Sequence, residues 1–389
     1  MKNIKHLIGC GLAVASLVSV PCLTAQARDL KVGLSVSLSG PNSSIGVPYS
    51  KGLKAGLAYQ DQVEGRKIQL IVLDDGSDPS TAGRNARKLV NEDKVDVLIG
   101  TSGVPSAIAM AQVGRDAGVP MIGVTPISVD PAKNPWVMTV AQPTQLMVDA
   151  VVDRMSKDGV KTVGYIGFSD AWGDLVHDAL AKASGKAGIQ VVDDERYARS
   201  DASVMGQVLR LLSKRPDAVM TGGAGTPGAL PFLALAERGY RGKVYGQHGL
   251  INADFVRVVG AAGNGAIMPT GPVIVAEQLP DDYPTKKIAL EFRDIYQKVN
   301  HEPTTDAFSA YAFDGWLVFL DAARRAMDKT GAEPGTPAFR TALRDAIFST
   351  KELVGTHGVY NLKPGELTGV DARARVIVEL QDGRWKLAP

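Results

Sequence analysis

The sequence predicts a doubly wound α/β fold built as two lobes. Three observations predict it: short β-branched runs alternate with longer helical patterns, the alternation breaks and restarts once, and the chain is long enough for two domains. Alternation of this kind implies parallel strands joined by right-handed crossovers, with helices on both faces of each sheet.

In the first series LKVGLSVSL, KIQLIVLDD, VDVLIG and VPMIGV read as buried strands. Between them SKGLKAGLAYQDQ, STAGRNARKLVNED and PSAIAMAQVGRDAG read as helices with Gly or Asp near their ends. VDPAKNPW, residues 129–136, breaks the pattern with two prolines. The second series has KTVGYIGF, GIQVVDDE, PDAVMTGG and GKVYGQHG as strands, with SDAWGDLVHDALAKAS, ASVMGQVLRLLSK and TPGALPFLALAERG as helices. After Gly260 the texture changes. AAGNGAIMPTGPVIV is punctuated by glycine and proline, IALEFRDIYQKVN and AYAFDGWLVFLDAARRAM read as helices, and THGVYNLKPGEL and ARVIVELQDGRWKL read as hairpin strands. By pattern alone this end is either a third domain or a chain that returns to the first lobe and then to the second.

The opening MKNIKHLIGCGLAVASLVSVPCLTAQARDL places Lys2 and Lys5 before an apolar stretch that ends at Ala25-Gln26-Ala27, the layout of a cleavable signal peptide over residues 1–27. A lipid-attachment box at Leu7-Ile8-Gly9-Cys10 is the rival, but only six residues precede it. Both cysteines, Cys10 and Cys22, fall in the segment to be removed, so the mature chain has no disulfide and no thiolate metal site. Taking Lys2 and Lys5 from the 43 basic residues leaves 41, equal to the 41 acidic ones. A balanced charge argues against nucleic acid or an anionic membrane as partner. The expected product is a soluble, exported monomer, not inserted in the membrane.

Catalytic and cofactor chemistry find little support. Gly223, Gly225 and Gly228 in TGGAGTPGAL have G-x-G-x-x-G spacing, but the acid that would hold a ribose is missing: Gln247 and His248 stand in its place. His177, His248, His301 and His357 lie far apart, with no metal-ligand spacing. In Gly100-Thr101-Ser102-Gly103 the serine is placed as in a nucleophile elbow, but Val104 follows where glycine is needed. Asp74-Asp75 and Asp193-Asp194 read as solvated acids at strand ends. The expectation is no enzyme, no cofactor and no metal.

Two loops of the first series suit a small anion. GTSGVPSAIAM places a strand end, free backbone N–H groups and hydroxyls ahead of a helix, which holds a carboxylate without a cationic side chain. Gly123-Val124-Thr125-Pro126-Ile127-Ser128 ends the next strand. The bland alternative is N-capping by Ser102 or Ser106. In the second series Trp172 opens a helix after Phe168-Ser169-Asp170, either as a wall of the cleft or as a packed core residue.

VGLSVSLSGPNSSIG, LDDGSDPSTAGRNARKLV, VDVLIGTSGVPSAIAM, VPMIGVTP and TVGYIGFSDAWGD resemble the periplasmic leucine/isoleucine/valine-binding family of ABC-transporter solute receptors, over essentially the whole mature chain. The resemblance implies a type I periplasmic binding protein: two Rossmann-like lobes, joined by three crossovers, that close on a ligand. It implies residues 28–144 plus 269–352 for lobe 1, and 145–268 plus 353–389 for lobe 2. It places Ile45, Gly103, Val104, Pro105, Ser106, Ile127 and Ser128 on the lobe 1 side of the ligand. On the lobe 2 side it places Trp172, Ala224, Gly225, Thr226 and His248. Partners would be a small carboxylate and an ABC permease; a sensory module on the same fold is the other class.

Departures from the family pattern bear on the ligand. Val104 stands where amino-acid binders have a hydroxyl, and His248 where they have the glutamate that meets the ammonium. The family's disulfide positions fall on Ser77 and Gly103. A ligand that keeps the carboxylate but lacks the amine fits best, an aromatic or a 2-oxo acid. The alternative is Leu, Ile or Val with a rearranged ammonium site, with Asp170 as a candidate acid.

Overall fold

The computed structural model describes residues 28–304 and 306–388. The expected signal segment, with Cys10 and Cys22, lies outside them.

The first sheet holds β1 (Leu30–Val36), β2 (Gln62–Val63), β3 (Arg66–Asp74), β4 (Val97–Gly100), β5 (Met121–Gly123) and β6 (Val137–Thr139), in the order β2-β3-β1-β4-β5-β6. β1 runs parallel to both neighbours, with Val32 opposite Leu70 on one side and Val97 on the other. Every residue of β4 is buried, as a strand covered on both faces must be. Helices α1 (Ser43–Tyr59), α2 (Pro79–Asn91) and α3 (Val104–Ala117) make the crossovers. α2 starts where Asp78 accepts a hydrogen bond from the Thr81 N–H and Pro79 takes the first turn. The proline-broken segment 129–136 does not end this sheet, because β6 still pairs with β5 beyond it.

The chain then enters the second lobe through α4 (Thr144–Lys157). There follow β7 (Thr162–Phe168), α5 (Ala171–Ala187), β8 (Gln190–Tyr197), α6 (Met205–Ser213), β9 (Ala218–Gly222), α7 (Leu230–Glu237), β10 (Lys243–Tyr245), α8 (Ala253–Val259) and β11 (Ile267–Thr270). After β11 the chain goes back to the first lobe as α9 (Lys286–Asn300), α10 (Phe308–Thr330) and α11 (Pro337–Ile347). It returns through the small hairpin β12 (Leu353–Val354) and β13 (Val359–Tyr360), and ends as β14 (Val376–Gln381) and β15 (Arg384–Leu387). The second sheet has the order β15-β14-β11-β10-β9-β7-β8. The chain thus passes between the lobes three times.

The return of α10 explains why that helix is apolar nearly all round: it is packed against α1 and α11 and buried on most of its surface. Its approach to α1 is close enough to require glycine. A Cβ on Gly52 would stand 2.0 Å from the Ser309 carbonyl oxygen, and one on Gly56 would stand 2.6 Å from the Trp316 ring.

Two expectations are corrected. Asp193 and Asp194 do not end a strand; they lie inside β8, an edge strand with a register shift at Val163/Gly164 of its neighbour. An edge leaves room for charged side chains that a central strand would exclude. Asp75 is not solvated but fully buried, and accepts hydrogen bonds from Ser37 Oγ (2.6 Å), Thr101 Oγ1 (2.5 Å) and the Ser77 N–H (2.9 Å). It ties together the loops after β1, β3 and β4.

Candidate ligand-binding site

Open parallel sheets present their ligand loops at the carboxyl ends of the strands. Here the two sheets point those ends at each other, and a small cavity lies between them. From lobe 1 it is lined by Ile45 and Tyr49 of α1, Ser102-Gly103-Val104 after β4, Val124-Thr125-Pro126 after β5, and Phe308 and Tyr311 of α10. From lobe 2 come Trp172 after β7, Arg199 after β8, Ala224 after β9, and His248-Gly249 after β10.

The lobe 1 side is an anion pole. Ser102 is held with its Oγ accepting from the Ser37 N–H at 2.9 Å, inside the network that Asp75 organises. Gly103 is the N-cap of α3 and supplies no side chain to its first turn. The helix therefore turns unsatisfied N–H groups and the positive end of its dipole toward the cavity. The Tyr49 hydroxyl donates to the Val124 carbonyl at 2.6 Å, and its ring meets Phe308 edge-on at 5.5 Å.

The lobe 2 side is aromatic and nearly saturated. Asp170 caps α5 by accepting from the N–H groups of Trp172 (3.0 Å) and Gly173 (3.3 Å). The Trp172 indole N–H donates to the Gly223 carbonyl at 3.2 Å, so the ring offers the cavity an apolar face. His248 packs edge-on to Trp172 at 5.5 Å. Its Nδ1 meets Gln247 Oε1 at 3.0 Å, while Nε2 is buried with no partner among the described residues. Burial pulls its pKa down to about 4, so the imidazole is neutral at neutral pH. It offers a ligand one hydrogen-bonding position and no charge.

Among the described residues, Arg199 is the only charged side chain lining the cavity. Its Nε donates to Asp170 Oδ2 at 2.6 Å, its Nη1 donates to Asn42 Oδ1 of lobe 1 at 2.9 Å, and the guanidinium lies 4.0 Å from the centre of the Phe168 ring.

Of the residues expected from sequence, the structure brings Ile45, Gly103, Val104, Trp172, Ala224 and His248 to the cavity. Pro105 and Ser106 lie in the first turn of α3, behind its N-cap, and do not line it. Ile127 is buried against Gly123 and faces a neighbouring cavity, and Ser128 is exposed. Gly225 and Thr226 pack on the other lobe instead: the Thr226 N–H donates to Ser44 Oγ at 3.0 Å, and a Cβ on Gly225 would stand 2.7 Å from that oxygen. Asp170, the candidate acid for an ammonium, is engaged by Arg199 and by α5. Sequence reasoning missed Tyr49, Arg199, Phe308 and Tyr311. Arg199 had a usable signal, since it follows a strand end as the other loops do; the three aromatics sit on helices and had none.

A family model described as Periplasmic binding protein matches residues 29–363. The chain is 25% identical over 266 residues to a Leu/Ile/Val-binding protein homolog of Brucella melitensis, spanning 66% of this chain and 71% of the relative. Among solved structures, an extracellular ligand-binding receptor from Rhodopseudomonas palustris is 36% identical with a TM-score of 0.89, covering 93% of this chain and all of that one. A solute-binding protein of an ABC transporter from R. palustris, in complex with benzoate, is 23% identical with a TM-score of 0.78, over 92% of this chain and 95% of that one. With two mostly parallel sheets facing a shared cleft and a family match over most of its length, this chain belongs to the periplasmic binding protein family.

Proposed function

We propose that the protein is the periplasmic solute receptor of an ABC importer, and that its ligand is a small carboxylic acid without an amine, an aromatic or a 2-oxo acid. One observation carries the choice of ligand: among the described residues no Asp or Glu lines the cavity, and the charged side chain that does, Arg199, is a cation. An α-amino acid would bury an ammonium there without a counter-charge, at a cost of several kcal/mol. A carboxylate instead meets the N-terminus of α3. Trp172, Tyr49, Phe308 and Tyr311 surround the remaining space with rings, which favours an aromatic body. The benzoate-bound neighbour is an instance of this fold holding an aromatic acid. The name of the Brucella relative favours the second reading, a branched-chain amino acid. That reading requires an acid at the cavity wall.

The test is a thermal-shift screen of refolded, ligand-stripped protein against leucine, isoleucine, valine, their 2-oxo acids, benzoate, phenylacetate and cinnamate. Ligand at about 100 times its dissociation constant adds about 2.7 kcal/mol, a clear rise in melting temperature. Stabilisation by the acids but not by the amino acids is expected. A larger shift with leucine or valine overturns the missing-amine argument.

A further inference from the structure

The ligand loops of lobe 1 hold an anion pole, but a receptor that closes on its ligand needs a lobe 2 group that engages the same ligand. Arg199 is placed for it. It stands on lobe 2, lines the cavity, and reaches across to Asn42 of lobe 1. Asn42 in turn lies against the N-cap of α3, its Nδ2 within 3.1 Å of where a Cβ on Gly103 would be. One side chain therefore separates the guanidinium from the helix N-terminus that faces the ligand.

We propose that Arg199 is the lobe 2 half of a carboxylate clamp: on closure its guanidinium and the N-terminus of α3 hold the ligand's carboxylate from opposite sides. The proposal rests on the carboxylic-acid reading above. Its geometry is set in advance. Asp170 fixes Nε, the Phe168 ring supports the flat face, and Asn42 takes one N–H of Nη1, while Nη2 has no hydrogen-bond partner among the described residues. A guanidinium so held presents its remaining donors as a fixed fork, the geometry that suits a carboxylate. Asp170 balances the charge when the cleft is empty, so the cation needs no ligand to be tolerated there. The same Asp170 caps the helix that carries Trp172, which ties the clamp to the aromatic wall.

Clamping and mere latching give different results. If Arg199 only latches the lobes through Asn42, its loss weakens every ligand alike; if it clamps the carboxylate, the loss falls on acids alone. Isothermal titration of wild type, Arg199→Gln and Arg199→Lys would use benzoate, phenylacetate and cinnamate, each beside its primary amide. Arg199→Gln is expected to weaken the acids by about tenfold to a hundredfold and the amides by less than about threefold, as loss of a charge-assisted bond predicts. Arg199→Lys, which keeps charge but loses the fork, is expected to fall between. Should Arg199→Gln fail to fold because Asp170 is left unpaired, the double variant Asp170→Asn/Arg199→Gln restores a neutral pair and is titrated instead. Equal losses for acids and amides, or none for either, overturn the clamp and leave the carboxylic-acid reading standing. Wild type that binds none of the acids overturns both.

Discussion

The two lobes touch at the mouth of the cleft and at the hinge, and the chemistry of the two contacts differs. At the mouth two hydrogen bonds cross between lobes: Thr226 N–H to Ser44 Oγ, and Arg199 Nη1 to Asn42 Oδ1. Both are only partly buried. At the hinge, Asp314 is fully buried and accepts from the N–H groups of Thr356 (2.6 Å) and His357 (3.0 Å) and from the Tyr360 hydroxyl (2.7 Å). The His357 ring stacks on Tyr311 at 3.8 Å, and its Nε2 is 2.9 Å from the Ala307 carbonyl. Gln142 bonds both the Tyr311 hydroxyl and the Ala374 carbonyl. All three passages of the chain meet here, because Gln142 lies on the first, His357 on the third, and Gly271 of the second has no room for a Cβ beside the His357 ring. Water can replace the mouth bonds when they open, whereas the hinge groups are buried away from it. The difference is what a hinged trap requires: one contact that exchanges and one that does not.

The largest effect is expected from breaking the hinge. Asp314→Ala strands the backbone N–H groups of Thr356 and His357 in a dry interior, leaving the Tyr360 hydroxyl only the Val140 carbonyl, and should remove about 3–5 kcal/mol of stability. Urea unfolding measures it. A loss below about 1 kcal/mol would mean that water or neighbouring groups take over the bonds, and that the hinge is as exchangeable as the mouth.

Acidification should weaken the hinge and the cleft wall next. Burial lowers the pKa of His357 to about 3 and that of His248 to about 4, so the unfolded chain binds these protons first. Their contribution is present above the ordinary histidine pKa of about 6.5 and is lost as pH falls below it. Asp314 has the opposite sign. Burial raises its pKa to about 6, so the folded state binds its proton first and gains stability as pH falls. For these three groups the net is a loss of about 2 kcal/mol between pH 7 and pH 5, which Asp96 and Asp306, whose pKa values burial also raises, reduce. Thermal unfolding across this range should show it, and Asp314→Asn, which lacks the offset, should show a steeper fall. A profile flat in both wild type and Asp314→Asn would mean that the two imidazoles are not buried neutral.

How much of this was legible in the sequence follows from which interactions are local. The strands from LKVGLSVSL to GKVYGQHG announce themselves by β-branched runs, and the rule that ligands sit at strand carboxyl ends leads to Ser102-Gly103 and Trp172, while the family resemblance adds His248. β11 escaped because Pro269 and the surrounding glycines read as a loop, although the strand pairs with β14 over all four residues. Arg199 follows a strand end and could have been read as cleft-facing, but the bonds that fix it, to Asp170 and Asn42, span 29 and 157 positions and are not legible locally. Tyr311 escaped because it reaches the cleft only when the chain doubles back. Gly225 and Thr226 were legible as a cleft loop, but whether they face ligand or the opposite lobe depends on how far the lobes close.

That last distinction yields the smallest and most selective prediction. Ser44→Ala removes the acceptor that meets the Thr226 N–H only while the cleft is shut. In an open form that N–H bonds water, so the unfolding free energy of ligand-free protein should change by less than about 0.5 kcal/mol. The closed, ligand-bound form loses one net hydrogen bond, about 1 kcal/mol or roughly a fivefold weaker affinity, carried by faster ligand release. Stopped-flow dissociation of whichever acid the thermal screen selects measures it. A release rate unchanged by Ser44→Ala would show that Gly225-Thr226 does not help to hold the cleft shut, and would leave Arg199 as the mouth's one reversible bond between the lobes.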